Sequence, residues 1–317
     1  MDTAWIVLIC VMALASIVLI TAYICFYRIF RSPRKKVRPE GYIDIPPGKE
    51  YEVHREQITK WVTSARAIPH RDVEIKSFDG LTLRGKYYET IPGAPIEIML
   101  HGYRGHSERD MCGGIFRARD CGHNALLVDH RGSGRSDGKV ITFGINESRD
   151  CLAWINFVLT EINPEAKIVL TGISMGAATV MIVSGMELPK NIIGILADCG
   201  YTSAKDIIKK VIRDMRLPAN ILYPFARLGA RIFGKFNLDE FSPIEQVRKS
   251  KIPTIFFHGD ADDFVPCEMS KRNYEACAAK KKLVIINGAA HGVAYPVDKE
   301  YYVKEAKAFF EEIEKTV

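Results

Sequence analysis

The sequence predicts an α/β fold in which a mostly parallel sheet lies between layers of helices. Short apolar runs recur after residue 95, and helix-length segments separate most of them. The runs are continuous rather than alternating, which is typical of strands buried on both faces of a parallel sheet. Their spacing suits crossover helices, so we expect an α/β sandwich. The predicted strands are 96–100, 125–128, 168–170, 192–197, 254–257 and 283–286.

Two regions depart from this regular alternation. Residues 73–75 and 81–83 alternate in polarity around Asp79–Gly80, which predicts a leading antiparallel hairpin. More than fifty residues separate the strands at 192–197 and 254–257, about twice the length that one crossover helix and two loops need. We therefore expect a short helical cap over about residues 201–247.

The N-terminal segment predicts one transmembrane helix. Residues 4–27 contain no charged side chain, and a helix of that length spans about 36 Å against a hydrocarbon core of about 30 Å. The alternative is a cleaved secretory signal, which needs a basic region before the apolar stretch and a small-x-small site after it. Only Asp2 precedes this stretch, so we expect a retained anchor.

The net charge of +6 comes from one cluster rather than from the body of the chain. Six basic residues lie directly after the apolar segment with no acid among them: Arg28, Arg31, Arg34, Lys35, Lys36 and Arg38. The remainder is close to neutral, which argues against a nucleic-acid-binding face. The positive-inside rule places the chain after residue 28 in the cytoplasm, at the cell membrane. We expect a basic, proline-rich juxtamembrane linker at 28–50 and a catalytic domain at 51–317.

The eight cysteines indicate a reducing compartment. They are scattered, with no C-x-x-C pair and no histidine at zinc spacing. We interpret them as free thiols, and we expect neither a metal nor a cofactor.

A G-x-S-x-G pattern marks a candidate nucleophile. Gly172 to Gly176 follows a predicted strand and precedes a helix-compatible stretch, 177–187. This strand–turn–helix setting is what makes the pattern specific, because it places the serine at the tip of a sharp turn. Ser174 is therefore the predicted nucleophile.

A serine nucleophile needs a general base, and the base needs an acid to orient it. His291 is the only histidine after position 258 and follows the last predicted strand. Asp262 is the preferred acid from its place in G-x-x-D-x-x-V-P, with Asp263 as the second candidate after it and Asp260 less favoured. The order Ser, Asp, His along the chain is the one expected for a G-x-S-x-G turn.

Two backbone N–H groups are predicted to stabilise the charge that develops on the attacked carbonyl oxygen. One is that of Met175, directly after the nucleophile, and the other is that of Tyr103, in the loop after the strand at 96–100. His101, His130 and His258 lie beside strand ends, where we interpret them as structural.

Five motifs together resemble the α/β-hydrolase superfamily over about residues 70–317. They are HGYRG at 101–105, DHRGSGRSDG at 129–138, GISMG at 172–176, HGDADDFVP at 258–266 and GAAHG at 288–292. The chain is most similar to small bacterial esterase-like hydrolases with an N-terminal membrane anchor. The resemblance implies an α/β-hydrolase sandwich and a serine hydrolase, because superfamily dehalogenases and epoxide hydrolases carry Asp in place of Ser174.

The leading functional hypothesis is hydrolysis of a carboxylic ester or thioester through an acyl-enzyme. The substrate would be a small-molecule or lipid-like acyl compound, with four aromatic residues of the cap as a candidate pocket: Tyr223, Phe225, Phe233 and Phe236. The alternatives are an aminopeptidase-like or acyl-peptide hydrolase and a non-catalytic membrane scaffold. The acyl length, the leaving group, the oligomeric state and the resting position of the cap stay open at this point.

Overall fold

An eight-stranded sheet runs through the centre of the structure, a computed structural model that describes residues 2–33, 39 and 41–315. Its spatial order is β1-β2-β4-β3-β5-β6-β7-β8. The strands are β1 Arg71–Lys76, β2 Thr82–Tyr88, β3 Ile96–Leu100, β4 Asn124–Val128, β5 Ile168–Ile173, β6 Ile192–Asp198, β7 Thr254–Gly259 and β8 Lys281–Ile286. β2 pairs antiparallel with β1 and β4, and the other neighbours are parallel. The predicted hairpin and parallel sheet are confirmed.

Helices cover both faces of the sheet. Alternate residues of one strand lie in different apolar clusters, as with Ile98 and Met99 of β3, because successive side chains point to opposite faces. The helices are α1 Thr3–Ile29, α2 Lys49–Glu52, α3 Arg55–Ala67, α4 Ser107–Asp120, α5 Ile145–Phe157, α6 Met175–Val183, α7 Ala204–Asp214, α8 Ala219–Ile232, α9 Pro243–Val247, α10 Cys267–Ala276, α11 Ala294–Val297 and α12 Lys299–Glu314.

The parallel strands bring the predicted functional loops to one edge of the sheet. The loops that follow β3, β5, β7 and β8 contain Tyr103, Ser174, Asp262 and His291 respectively. Since parallel strands end at the same edge, these four loops meet although they are separated by up to about 190 positions in the chain.

Helix α1 is long and apolar enough to cross a membrane. Its most apolar 18-residue window has no buried residue, and 18 helical residues measure about 27 Å, close to the thickness of a hydrocarbon core. The following part of the helix behaves differently. Ala22 and Phe26 are buried, so one helix presents an exposed apolar portion and then a portion packed against protein.

The end of α1, which includes the first residues of the predicted linker at 28–50, is packed against the body of the protein. Phe30 is 0% exposed, and its ring meets those of Phe143 and Phe236 at centroid distances of 5.6 and 5.3 Å. The backbone continues this contact, because the N–H of Ile141 donates to the carbonyl of Phe30 at 2.8 Å. The basic residues Arg34, Lys35, Lys36 and Arg38 lie outside the described residues.

Close packing between α1 and α8 of the cap explains this arrangement. A Cβ atom at Gly229 would lie 2.3 Å from the carbonyl oxygen of Ala22, so only glycine allows the two helices this approach. The ring of Phe233 packs edge-on against Tyr23 at 5.2 Å. These contacts join segments about 200 positions apart in the chain.

Candidate active site

Ser174 occupies a strained turn between β5 and α6. Its backbone angles are φ 55° and ψ −113°, a conformation that non-glycine residues rarely adopt and that native structures hold chiefly at functional sites. The turn depends on Gly176, because a Cβ atom there would lie 2.0 Å from the carbonyl oxygen of Leu100. The local sequence thus forces the serine side chain out of both the strand and the helix.

His291 links the serine to a carboxylate. Its Nε2 lies 2.9 Å from Ser174 Oγ, and its Nδ1 lies 2.7 Å from Asp262 Oδ2. Asp262 accepts a hydrogen bond from the Nδ1–H group of His291. Nε2 of the neutral imidazole then carries no hydrogen and can accept the serine proton. This is the order of contacts that a serine nucleophile, a general base and an orienting acid require.

The surroundings of Asp262 keep its carboxylate ionised. Burial opposes ionisation, but hydrogen bonds from His258 and His291 outweigh it and lower the pKa of Asp262 to about 2. The second oxygen, Oδ1, accepts the N–H groups of Phe264 and Val265 at 2.9 and 2.8 Å. An anion held in this way stabilises the imidazolium that forms when His291 takes a proton.

The two other acids of the same loop face elsewhere. The side chain of Asp263 is exposed. Asp260 Oδ1 accepts the backbone N–H of Gly288 at 2.6 Å, so that side chain braces the turn before His291. The structure therefore places Asp262 beside His291, and it places Asp260 and Asp263 elsewhere.

Of the two predicted oxyanion donors, Tyr103 lines the same cavity as Ser174, and Met175 directly follows Ser174 in the chain. In the described part of the chain, neither the N–H of Tyr103 nor that of Met175 donates to a protein acceptor. The loop that carries Tyr103 is attached to the end of α1. The Tyr103 hydroxyl donates to the carbonyl of Ile29 at 2.6 Å, and the Arg104 guanidinium donates to the carbonyl of Arg28 at 2.7 Å.

The remaining histidines near the site hold loops in place. The backbone N–H of His130 donates to Nε2 of His101 at 3.0 Å, and Nδ1 of His101 lies 2.7 Å from the carbonyl of Gly102. Burial lowers the pKa of both rings, so both stay neutral. His258 also contacts the carboxylate of Asp262, since its Nε2 lies 3.1 Å from Asp262 Oδ2. The sequence did not reveal this contact.

A cavity of about 200 Å³ extends inward from the serine. Its lining includes Tyr103, Ser174, Phe264 and His291. The rest of the lining comes from the segment before β1, from α4, from the sheet and from the region after β8. These further residues include Pro46, Tyr51, Ile58, Trp61, Met111, Arg117, Thr171, Leu196, Asp198, Tyr295 and Tyr302. The sequence indicated Trp61 only as part of an amphipathic helix.

The four aromatic cap residues predicted as a substrate pocket do not line this cavity. Phe233 and Phe236 pack against Phe26 and Phe30 of the N-terminal segment. The hydroxyl of Tyr223 lies 3.1 Å from Asp239 Oδ1, and Phe225 is half-buried on α8. Two of the four, Phe233 and Phe236, therefore cover the end of α1 rather than the cavity at Ser174.

One group of described residues has the spacing of metal ligands. Single ligand atoms of Cys199, Asp262 and His291 lie within 4.8 Å of one another. Two of the three are the partners of Ser174 described above, and burial raises the pKa of the Cys199 thiol well above its usual value. Since the thiolate is the form that binds metals, this group fits a metal poorly.

Comparisons with known proteins support the fold. A family model described as serine aminopeptidase, S33, matches residues 95–237, which contain Ser174 and end before Asp262 and His291. The uncharacterized protein YqkD of Bacillus subtilis is 28% identical over 193 residues, or 61% of this chain and 63% of YqkD. The chain thus matches less than two thirds of that relative's length.

Solved structures give the same answer. The Pyrococcus furiosus esterase Pf2001 superposes with a TM-score of 0.66 and 21% identity, covering 89% of this chain and 98% of the esterase. The acylaminoacyl peptidase of Pyrococcus horikoshii superposes with a TM-score of 0.56 and 20% identity, over 77% of this chain and 41% of that one. Similarity at these identities establishes a shared fold, and the chemistry has to be argued from the site.

Proposed function

We propose that the chain is a serine hydrolase that cleaves carboxylic esters or thioesters through an acyl-enzyme, in keeping with its similarity to α/β hydrolases. The observation that supports this most directly is the pair of hydrogen bonds at 2.9 and 2.7 Å that join Ser174, His291 and Asp262. The strained backbone of Ser174 adds to it, since strain of this kind is retained mainly where function requires it.

The first half of the reaction forms a covalent bond to the serine. Ser174 Oγ attacks the carbonyl carbon of the substrate while its proton passes to His291 Nε2. The N–H groups of Tyr103 and Met175 donate to the oxygen as it becomes negative, and Asp262 stabilises the imidazolium. His291 then gives its proton to the departing oxygen or sulfur, and the acyl group remains on Ser174.

The second half returns the enzyme to its starting state. A water molecule gives a proton to His291 Nε2 and attacks the acyl carbon, with the same two N–H groups at the oxygen. The bond to Ser174 Oγ breaks, Oγ recovers a proton from His291, and the carboxylic acid leaves. The size of the cavity favours a small acyl group, because a cavity of about 150 Å³ is already enough for benzene and this one measures about 200 Å³.

We also propose that the enzyme is a membrane protein with its catalytic domain in the cytoplasm. Basic residues follow the apolar helix, and all eight cysteines are free. Burial of Phe26 and Phe30 in the domain argues against a cleaved signal, because cleavage after the apolar segment would remove both rings from the core. Protection of the domain from protease added outside intact cells is the expected result, and its digestion would contradict this orientation.

An amide-cleaving enzyme is the second candidate, favoured by the match to the serine aminopeptidase family model. Esters and 4-nitroanilides of the same acyl groups discriminate the two activities. A higher kcat/KM for the anilides would favour the peptidase. A scaffold without catalysis would be favoured if a fluorophosphonate probe failed to label folded protein.

The direct test uses the full chain in mild detergent. We expect the fluorophosphonate probe to label wild-type protein at Ser174, and Ser174→Ala to lose labelling and at least about 10³-fold in kcat with 4-nitrophenyl esters. Ser64→Ala, at an exposed serine of α3, is the matched control. Full ester hydrolysis by Ser174→Ala would refute the proposed function.

A further inference from the structure

Two residues that line the cavity carry buried polar atoms with no hydrogen-bond partner among the described residues. Asp198, the last residue of β6, is 5% exposed. Its Oδ2 accepts the hydroxyl of Tyr302 at 2.9 Å, whereas its Oδ1 has no hydrogen-bond partner among the described residues, and the same holds for the hydroxyl of Tyr295. All three residues line the cavity that begins at Ser174.

These atoms are held in position by packing. The ring of Tyr295 stacks on Trp61 with centroids 5.0 Å apart and meets the edge of Tyr302 at 5.4 Å. The hydroxyl of Tyr295 therefore cannot turn to solvent without breaking both contacts. A buried polar group without a partner costs about 1–3 kcal/mol, so two of them in one cavity indicate that a bound molecule supplies their partner.

We propose, on the basis of the serine hydrolase function above, that Asp198 and Tyr295 form a subsite for an uncharged hydroxyl group on the part of the substrate that fills the cavity. A hydroxyl group can donate to Asp198 Oδ1 and accept from the Tyr295 hydroxyl at the same time. Trp61 and Leu196 also line this cavity, which suits an apolar group on the same part of the substrate.

Charged ligands fit this position less well. An ammonium group would leave water for a buried place, at a cost of several kcal/mol. Burial raises the pKa of Asp198, which makes its ionised form, the partner that an ammonium group needs, less favourable. A carboxylate would need a cation, but the Arg117 guanidinium in the cavity wall already pairs with Glu97.

The test compares esters that differ by a single group. The pairs are 4-nitrophenyl phenylacetate with its 4-hydroxyphenylacetate analogue, and 4-nitrophenyl hexanoate with its 6-aminohexanoate analogue. We expect wild-type kcat/KM to favour the hydroxylated ester at least tenfold over phenylacetate and to disfavour the amine. Tyr295→Phe should reduce the ratio of kcat/KM for the hydroxylated ester to kcat/KM for phenylacetate about fivefold, the value of one hydrogen bond.

Two further variants make the result specific. Tyr301→Phe, which removes a hydroxyl from a neighbouring side chain that is 41% exposed, should keep the full preference. Asp198→Asn alters the second partner and should also reduce the preference. Asp198→Asn serves as the test if Tyr295→Phe has a lower melting temperature than the wild type.

The outcomes separate this proposal from the one on which it rests. Equal rates for the two phenylacetates would overturn the hydroxyl subsite, while fluorophosphonate labelling of Ser174 would still support the hydrolase. A preference for the amino ester, or a hydroxyl preference that survives in both Tyr295→Phe and Asp198→Asn, would also overturn the subsite. Absence of both ester hydrolysis and labelling would refute the serine hydrolase itself, and the subsite with it.

Discussion

The packing of Phe30 makes the N-terminal helix part of the folded domain, and Phe30→Ala tests this directly. The ring is completely buried and meets two other aromatic rings, Phe143 and Phe236, at 5.6 and 5.3 Å. If residue 30 belonged to a linker that makes no contact with the domain, its replacement would have no effect on stability. The structure predicts a large effect.

The expected loss follows from the size of the side chain. Replacing a fully buried Phe by Ala costs about 3–5 kcal/mol, and the two edge-to-face contacts place this site toward the upper end of that range. For a chain of this size about 2 °C of melting temperature corresponds to each kcal/mol, so we expect a decrease of about 6–10 °C. Tyr27→Ala is the matched control, because that ring on the same helix is 52% exposed.

The assay is thermal unfolding of the full chain in mild detergent, followed by tryptophan fluorescence, since Trp61 and Trp154 are buried in the domain. Tyr27→Ala should stay within about 0.5 kcal/mol of wild type, as is usual for surface positions. Equal melting temperatures for Phe30→Ala and Tyr27→Ala would refute the packed arrangement. That result would restore the anchor-and-linker interpretation.

Two further predictions concern the acid of the triad and a buried histidine. Asp262→Asn should lower kcat about 10⁴-fold by favouring the wrong imidazole tautomer, and Asp263→Asn should stay within twofold; the reverse order in ester assays would assign the role to Asp263. Burial favours neutral His123, but hydrogen bonds to Glu314 and Glu97 outweigh it and raise its pKa from 6.5 to about 9. A group whose pKa is raised by folding stabilises the folded state at pH values below its unfolded-state pKa, and this contribution is lost as the pH rises through its folded-state pKa. The free energy of unfolding should therefore fall by on the order of 3 kcal/mol between pH 6.5 and 9. Denaturant titrations of wild type and His123→Gln measure this, and parallel profiles would contradict it.

The proposed nucleophile could be recognised from the sequence because the pattern that marks it lies within one short segment of the chain. A sharp turn between a buried strand and a helix needs small residues at fixed offsets, so Gly172 to Gly176 identifies Ser174 without tertiary information. His291 followed from the order of loops, because parallel strands deliver their carboxyl ends to one edge of the sheet. The superfamily resemblance and the fold class are confirmed for the same reason, since both depend on short-range patterns repeated along the chain.

The choice between neighbouring acids required the structure. Asp262 and Asp263 occupy adjacent positions in one loop, and the sequence does not state which way each side chain points. The backbone N–H groups of Phe264 and Val265 decide it by holding the carboxylate of Asp262 toward His291. The side chain of Asp263 is left in solvent.

Which distant side chains contact one another could be seen only in the tertiary structure. An aromatic residue such as Phe233 is predictably covered, but whether substrate or Phe26 covers it depends on a helix about 200 positions away. The cavity likewise combines Trp61, Asp198 and Tyr295 from separate parts of the chain. The sequence by itself determined the fold class and the sharp strand–turn–helix segment that carries the proposed nucleophile, because local backbone geometry encodes both. The cavity, its buried polar atoms and the packing of helix α1 against the domain arise only when distant segments pack together.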